Sequence, residues 1–103
     1  NSNTKKITQM LDANIILEHN KHTVTIHINI SSQTLSAGWN QVATIPKGFA
    51  PSGAINFILL NNNSNSESTN TPVFGRINTN GVINVYSFTE RSCAPTGIVT
   101  YII

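Results

Sequence analysis

Apolar and polar residues alternate along much of this chain, and the alternation predicts β-strands. It is clearest over residues 23–30, where every second residue is aliphatic and the residues between are Thr, His or Asn. The apolar segment 14–18 precedes it, and Asn20 suits a turn between the two. Residues 14–30 are therefore predicted to form a β-hairpin with one buried and one solvated face. The aliphatic positions are Val24, Ile26, Ile28 and Ile30.

Three further segments fit strands. Residues 39–45 lead to a Pro- and Gly-rich loop at 46–53, and residues 54–60 follow as a mostly apolar strand expected to be buried on both faces. Residues 61–70 (NNNSNSESTN) are predicted to be a polar surface loop. The segment 97–103 is predicted to be a last strand, held in the sheet because its end is apolar.

Residues 73–88 contain the clearest hairpin signal, because Asn80-Gly81 lies between two alternating segments. A three-residue loop with Gly81 left-handed places Ile77 opposite Ile83 and Gly75 opposite Val85. A two-residue loop sets Ile77 against Asn84 instead. The first register is preferred because it pairs apolar residues on the core side.

Helical periodicity is confined to residues 4–11, a short segment with marginal helical stability. About seven strands remain, which indicates an all-β fold: an antiparallel barrel or sandwich of six to eight strands in one domain, 1–103. Residues 1–13 are a candidate linker from a longer parent chain, because the sequence begins without Met.

Charged residues make up 10% of the 103 residues, and Asn, Ser and Thr supply the polar surface. The six Lys and Arg are scattered, which argues against a nucleic-acid partner. No apolar run is long enough for a membrane helix, so no membrane association is expected. Cys93 is the only cysteine, which excludes an intrachain disulfide and favours a buried apolar role.

An enzymatic function is not expected. The acids are Asp12, Glu18, Glu67 and Glu90, and no pair has a spacing that fixes a shared site. His22 and His27 are an odd number of residues apart, so on a regular strand they face opposite sides, and no metal site is predicted. The glycines are dispersed, without a phosphate-binding loop, and no cofactor is expected.

A binding surface is the remaining possibility. In the preferred hairpin register Phe74, Arg76 and Asn78 share a face with Asn84 and Tyr86 of the partner strand. Trp39 supplies another flat aromatic side chain. Such a face suits a sugar or a sugar phosphate, since a guanidinium can form paired hydrogen bonds to an anion. The alternative is that the aromatic residues pack a core or a subunit interface and that Arg76 is only solvated.

Two parts of the sequence resemble a known family. They are the segment 24–30 followed by Trp39-Asn40 and Ile45-Pro46-Lys47-Gly48-Phe49-Ala50-Pro51, and the ending Gly75 … Asn80-Gly81-Val82-Ile83-Asn84-Val85 with Thr100-Tyr101-Ile102. Over residues 14–103 the chain resembles the C-terminal head domain of receptor-binding proteins of lactococcal phages.

The resemblance implies a β-barrel head that assembles as a homotrimer at the phage tail tip or baseplate, alongside other tail proteins. It also implies binding, without cleavage, of a host cell-wall polysaccharide or a teichoic-acid-like glycan in clefts near subunit boundaries. In the family a His-x-Asp pair, a Trp and an Arg line this cleft. Here Phe74 and Arg76 occupy the first two positions, and the Trp position falls near Val85 or Tyr86. The Arg position has no clear match, although Arg91 lies in the following loop.

The expected saccharide-binding residues are Arg76, Asn84, Tyr86, Phe74, Arg91 and Trp39. The departure at Phe74 and Arg76 implies a different ligand or a different cleft. The alternatives are a structural baseplate or tail-fibre domain that only docks neighbouring proteins, a lectin-like bacterial adhesin, and a depolymerase, which the scarcity of acids disfavours.

Overall fold

The computed structural model describes residues 3–62 and 72–103, and within them the protein is all-β. The β-branched and alternating segments of the sequence form the longer strands, as their preference for a pleated, half-buried surface predicts. The strands are β1 (Asn3–Lys6), β2 (Thr8–Gln9), β3 (Ala13–His19), β4 (Thr23–Ile30), β5 (Gln33–Leu35), β6 (Gly38–Thr44), β7 (Ile55–Asn61), β8 (Val73–Ile77), β9 (Val82–Ser87), β10 (Arg91–Cys93) and β11 (Pro95–Ile102).

One curled sheet contains most of these strands, in the order β1-β3-β4-β11-β7-β8-β9-β6-β2, and β10 pairs with β5 beside it. The pairings among the described strands are antiparallel. β11 and β7 are joined only through Pro95 with Asn61 and Thr96 with Leu60, so the sheet divides there into two layers. Because β1 and β2 are consecutive in the chain, the N-terminal segment links the outer edges of both layers.

The two layers enclose one hydrophobic core, built from the inward-facing residues of each strand. Ile7 lies between β1 and β2 and is buried where the chain crosses from one layer to the other. The largest fully buried side chains come from both layers and are aliphatic; they include Ile15, Leu17, Ile26, Ile30, Leu59, Ile77 and Ile83. This burial against water is the main stabilising contribution in a domain without a disulfide.

The seven strands expected from the sequence all form, and so does the predicted 73–88 hairpin. Ile77 pairs with Ile83 and Gly75 with Val85, which confirms the three-residue loop. Gly81 has a φ of 89°, and its amide donates to the carbonyl of Asn78. A left-handed backbone there favours glycine, so the Asn-Gly dipeptide sets the register of the hairpin.

Two expectations about local structure were wrong. Residues 4–11 do not form a helix, because residues of this segment pair with β3 and β6 as strands β1 and β2. These strands also mean that the candidate linker 1–13 contributes to the sheet. Strand β7 is buried on one face only, since Ile58 and Leu60 are 63% and 70% exposed.

The polar segment 61–70 lies mostly outside the described residues. Its first residue, Asn61, ends strand β7, and its side chain accepts a hydrogen bond from the amide of Ala94. The extra strands β1, β2, β5 and β10 have two to four residues each, too short for an alternating pattern to reveal them.

The apolar C-terminus is part of the sheet, as its composition predicted. β11 pairs with β4 from Thr96 to Ile102, and the amide of Ile103 donates to the carbonyl of His22. Tyr101 faces inward, and its hydroxyl donates to the carbonyl of Phe49. Burial raises the pKa of the Tyr101 hydroxyl to about 12. The described residues include no helix long and apolar enough to cross a membrane.

Candidate functional site

Two contrasting rows of side chains cross the outer face of β6, β9, β8 and β7. The first row is apolar and aromatic, since Trp39 lies opposite Tyr86, Tyr86 opposite Phe74, and Phe74 opposite Ile58. The second row is polar, and each of its members lies two residues from a member of the first row on the same strand. Its residues are Gln41, Asn84, Arg76 and Asn56. Directly opposed residues have Cβ atoms about 5 Å apart, so each row is continuous across four strands.

Edge-to-face contacts hold the aromatic rings of the first row. The ring centroids of Trp39 and Tyr86 are 5.1 Å apart with an interplanar angle of 67°. Phe88, just beyond the end of β9, contacts Tyr86 at 5.2 Å and Phe74 at 5.8 Å in the same geometry. Aromatic pairs favour this arrangement, which keeps the rings in place without covering them. Trp39 is 53% exposed, and Phe88 is 67% exposed.

An open cleft of about 610 Å³ lies over this aromatic row. Its surface is almost wholly apolar, and its walls include Trp39, Tyr86, Phe74, Phe88 and Ile58. Gly75 and Phe57 also line it, and the two residues are direct partners across β8 and β7. A Cβ atom at residue 75 would lie 2.3 Å from Cε2 of Phe57, so the glycine leaves room for this ring.

A smaller, polar pocket of about 290 Å³ adjoins the cleft and is lined by Trp39, Arg76, Asn78 and Asn84. Trp39 lines both spaces and connects them. The Arg76 guanidinium donates from Nε to Oδ1 of Asn78 at 3.0 Å and from Nη1 to Oδ1 of Asn56 at 3.4 Å. Both acceptors are neutral, and among the described residues no carboxylate pairs with Arg76. Its remaining N–H groups are therefore available to a ligand.

The structure brings together five of the six residues that the sequence proposed as a site. Phe74, Arg76, Asn84 and Tyr86 share one face in the predicted register, and Trp39 joins them because β6 pairs with β9. The sixth, Arg91, lies on β10 opposite Leu35, and its Nε donates to Oγ of the buried Ser87. Arg91 does not line the cleft or the polar pocket.

Sequence reasoning missed three apolar side chains of the cleft, those of Phe57, Ile58 and Phe88. Ile58 was expected to be buried with the rest of β7, and Phe88 was treated only as the end of the hairpin. A period-two signal was available for Phe88, since it follows Phe74's partner Tyr86 by two residues. Ile58 could not be recognised, because an apolar run such as 57–60 does not show which face is covered.

The remaining titratable groups lie away from this face. His27 forms an ion pair with Glu18 through Nε2 on the outer side of β4 and β3. His22 is exposed beside the turn that joins these strands. Within the described ranges, no three His, Cys, Asp or Glu side chains are close enough together to hold a metal ion. Cys93 is buried as expected, and burial raises the pKa of its thiol, with Arg91 acting in the opposite direction.

The cleft can hold a flat ligand with an apolar face, and the neighbouring amides and guanidinium can bind its hydroxyl or anionic groups. No protein-family model matches the sequence, and a search of curated proteins found no match.

Proposed function

We propose that this domain is a non-catalytic carbohydrate-binding head that recognises a cell-surface saccharide. The observation that carries the proposal is the pair of adjacent rows on one exposed face, one aromatic and one of amides with a guanidinium. A pyranose ring likewise has apolar and polar surfaces, because C–H groups lie on its faces and hydroxyl groups lie around its edge. Ligand sites that combine an apolar surface with a few polar groups commonly obtain affinity from the first and orientation from the second.

The aromatic row supports a stacking role because its rings are held in place but uncovered. Trp39 and Tyr86 have few rotatable bonds and contact each other, so little conformational entropy is lost when a ligand binds. Trp39 is 53% exposed beside the exposed Phe74 and Phe88, and exposed apolar side chains grouped in this way commonly mark a binding surface. We propose Trp39, Tyr86 and Phe74 as the stacking surface.

The polar pocket supports a preference for a saccharide with an anionic substituent. Arg76 is positioned by two neutral amide oxygens, and its charge is not neutralised by a described carboxylate. Asn84 lies directly opposite Arg76, so the two can bind neighbouring groups of one ligand. A cell-wall polysaccharide with phosphate, or a teichoic-acid-like glycan, fits this chemistry.

The resemblance of residues 14–103 to phage receptor-binding heads supports a specific biological setting. In this setting the domain is part of a virion, at the tail tip or baseplate, assembles as a homotrimer with other tail proteins, and adsorbs the phage to its host. The cleft differs from the family pattern at Phe74 and Arg76, and Arg91 is outside it. We therefore propose that this domain keeps the family's role and recognises its ligand with a different set of side chains.

Titration of the domain with cell-wall polysaccharides and teichoic acids of Gram-positive bacteria tests the proposal. Trp39→Ala and Tyr86→Ala should each weaken binding about tenfold or more, as truncations of aromatic contact residues commonly do. Arg76→Gln should reduce affinity for phosphate-bearing glycans more than for neutral ones. Ile102→Ala is the matched control, since Ile102 is 76% exposed and lies on β11, outside the cleft.

The proposal fails if a properly folded sample binds none of these glycans, or if Trp39→Ala and Ile102→Ala bind equally well. Shortening of the polysaccharide chains during incubation would instead identify a depolymerase. Light scattering tests the trimer separately, and the position of the parent gene inside or outside a tail-gene cluster distinguishes a phage head from a bacterial adhesin.

A second candidate function is a structural domain that docks neighbouring tail proteins. Several exposed aliphatic residues favour it: Ile58, Leu60, Ile98 and Ile102 are each more than 60% exposed, and they lie on the adjacent strands β7 and β11. Apolar side chains grouped on an outer face commonly mark a protein contact. Loss of assembly on substituting these residues, with glycan binding absent, would support this function over the first.

A further inference from the structure

A second groove, of about 510 Å³, lies on the outer face of the other layer, over β3, β4 and β11. One row across it is polar, with Asn14 opposite Asn29 and Asn29 opposite Thr96. The next row has an imidazole between two aliphatic side chains, with Ile16 opposite His27 and His27 opposite Ile98. The groove therefore repeats the paired apolar and polar rows of the first cleft, without the large aromatic rings.

The amides in this groove differ from most asparagines of the described chain because they have no hydrogen-bond partner within it. Asn20 caps the β3–β4 turn, Asn40 binds the backbone of Ser36, and Asn80 binds the amide of Val82. In contrast, the side chains of Asn14 and Asn29 are exposed and make no hydrogen bond to other described residues. Their oxygens and NH₂ groups are free to bind a ligand.

Asparagine at these two strand positions is also unfavourable for the stability of the fold. Asn is depleted in strands, where β-branched residues pack better, yet Asn14 and Asn29 face each other across β3 and β4, and Asn29 is paired on both sides. A residue that disfavours the secondary structure around it and makes no stabilising contact is more typical of a functional position than of a structural one. Asn84 shows the same combination in the first site, where it lies between Arg76 and Gln41.

We propose that this groove is a second binding site, for a neutral polyhydroxylated ligand such as an uncharged sugar residue. Asn14, Asn29 and Thr96 would bind hydroxyl groups, while Ile98, which is 66% exposed, would cover an apolar edge of the sugar. His27 is oriented by its ion pair with Glu18, which occupies Nε2 and leaves Nδ1 free. Among the described residues, no lysine or arginine lines the groove, so it lacks the cation that Arg76 supplies to the polar pocket beside the first cleft.

Nuclear magnetic resonance titration of the ¹⁵N-labelled 103-residue chain tests this site independently of the first. The probes are glucose, N-acetylglucosamine, rhamnose and glycerol, added singly. For at least one probe we expect saturable shifts of the side-chain amides of Asn14 and Asn29. The double substitution Asn14→Val with Asn29→Val should weaken this binding about tenfold or more, since two hydrogen-bonding side chains are lost while the preference for a strand is kept. Trp39→Ala should leave it unchanged.

The second site is overturned if no probe shifts the groove residues, if the shifts rise linearly without saturation, or if the double substitution leaves them unaltered. Shifts confined to Tyr86, Phe74 and Trp39 also overturn it while supporting the first cleft. If probes cause saturable shifts in the groove and no glycan shifts the residues of the aromatic cleft, the second site is supported. The proposed function of the aromatic cleft is then overturned.

Discussion

The two faces of the β8–β9 hairpin are formed by alternate residues of the same two strands and have opposite properties. Val73, Ile77, Ile83 and Val85 face inward and are completely buried. Their neighbours along the chain, Phe74, Arg76, Asn84 and Tyr86, face outward and line the cleft and the polar pocket. Because side chains point alternately to the two faces of a sheet, the position of a residue along the strand determines which face it occupies.

In this hairpin, buried and exposed side chains therefore alternate residue by residue. Inward positions contribute by removing aliphatic surface from water, and they accept few changes. Outward positions remain partly exposed, so truncating them removes less apolar surface from the core and should cost less stability. Substitutions one residue apart should therefore have very different consequences, and this expectation can be tested directly.

The largest effect is expected for the inward-facing Ile83. Ile83→Ala should lower the free energy of unfolding by about 2–5 kcal/mol, because a fully buried side chain is replaced by a cavity. Asn84→Ala, one residue away on the outer face, should change it by no more than about 0.5 kcal/mol. Urea denaturation of both variants measures the difference, and equal destabilisation would contradict the division between the faces.

An intermediate effect is expected at Gly75, where the inner face and the cleft meet. Gly75→Ala places a Cβ atom 2.3 Å from Cε2 and 2.4 Å from Cζ of Phe57, so the ring must move. Overpacking of this kind costs about 1–3 kcal/mol. Gly53→Ala is the matched control, since a Cβ atom there meets nothing within 4 Å.

A double-substitution cycle sharpens this prediction. Phe57→Leu shortens the side chain that the new methyl group meets, so it should recover part of the stability lost in Gly75→Ala. Strictly additive effects in thermal or urea unfolding would show that the Phe57 ring is not the cause.

The smallest effect concerns the two tyrosines, of which Tyr101 faces the core and Tyr86 faces the open cleft. The inward-facing Tyr101 has a pKa of about 12 in the folded state, above the ordinary value of 10. As pH rises, the unfolded chain therefore loses this proton first. The contribution to stability is complete below pH 10 and declines between pH 10 and 12.

Denaturant midpoints measured from pH 8 to 12 give this decline. Tyr101→Phe, which also loses the hydrogen bond to the Phe49 carbonyl, should start from a lower stability and decline less steeply with pH. Tyr86→Phe removes the outward-facing hydroxyl and is the matched control. An unchanged slope in Tyr101→Phe would refute the assignment.

Much of the fold was predictable because its signals are local. The alternation at 23–30, the Asn80-Gly81 turn and the apolar end at 101–103 each identify a strand or turn from a few neighbouring residues. The predicted register of the second hairpin was enough to place Phe74, Arg76, Asn84 and Tyr86 on one face. These four residues form the centre of the candidate site.

The errors have a common physical cause, because each depends on contacts between distant segments. Residues 4–11 contain weak helical periodicity, but pairing with β3 and β6 outweighs that preference. Ile58 and Leu60 look like core residues, but no described strand covers the outer face of β7. Arg91 was grouped with the site by its nearness in sequence, whereas β10 takes it to Leu35 and Ser87.

The amino-acid pattern was thus sufficient for the all-β class, for the seven longer strands and for the face that each residue of the β8–β9 hairpin occupies, since a period of two is a property of the strand itself. The tertiary structure was needed to bring Trp39 beside Tyr86, to add Ile58 and Phe88 to the cleft, and to align Asn14 with Asn29 and Thr96 in the second groove. The order of strands in a sheet depends on how the whole core is enclosed, and no short segment of the chain carries that information.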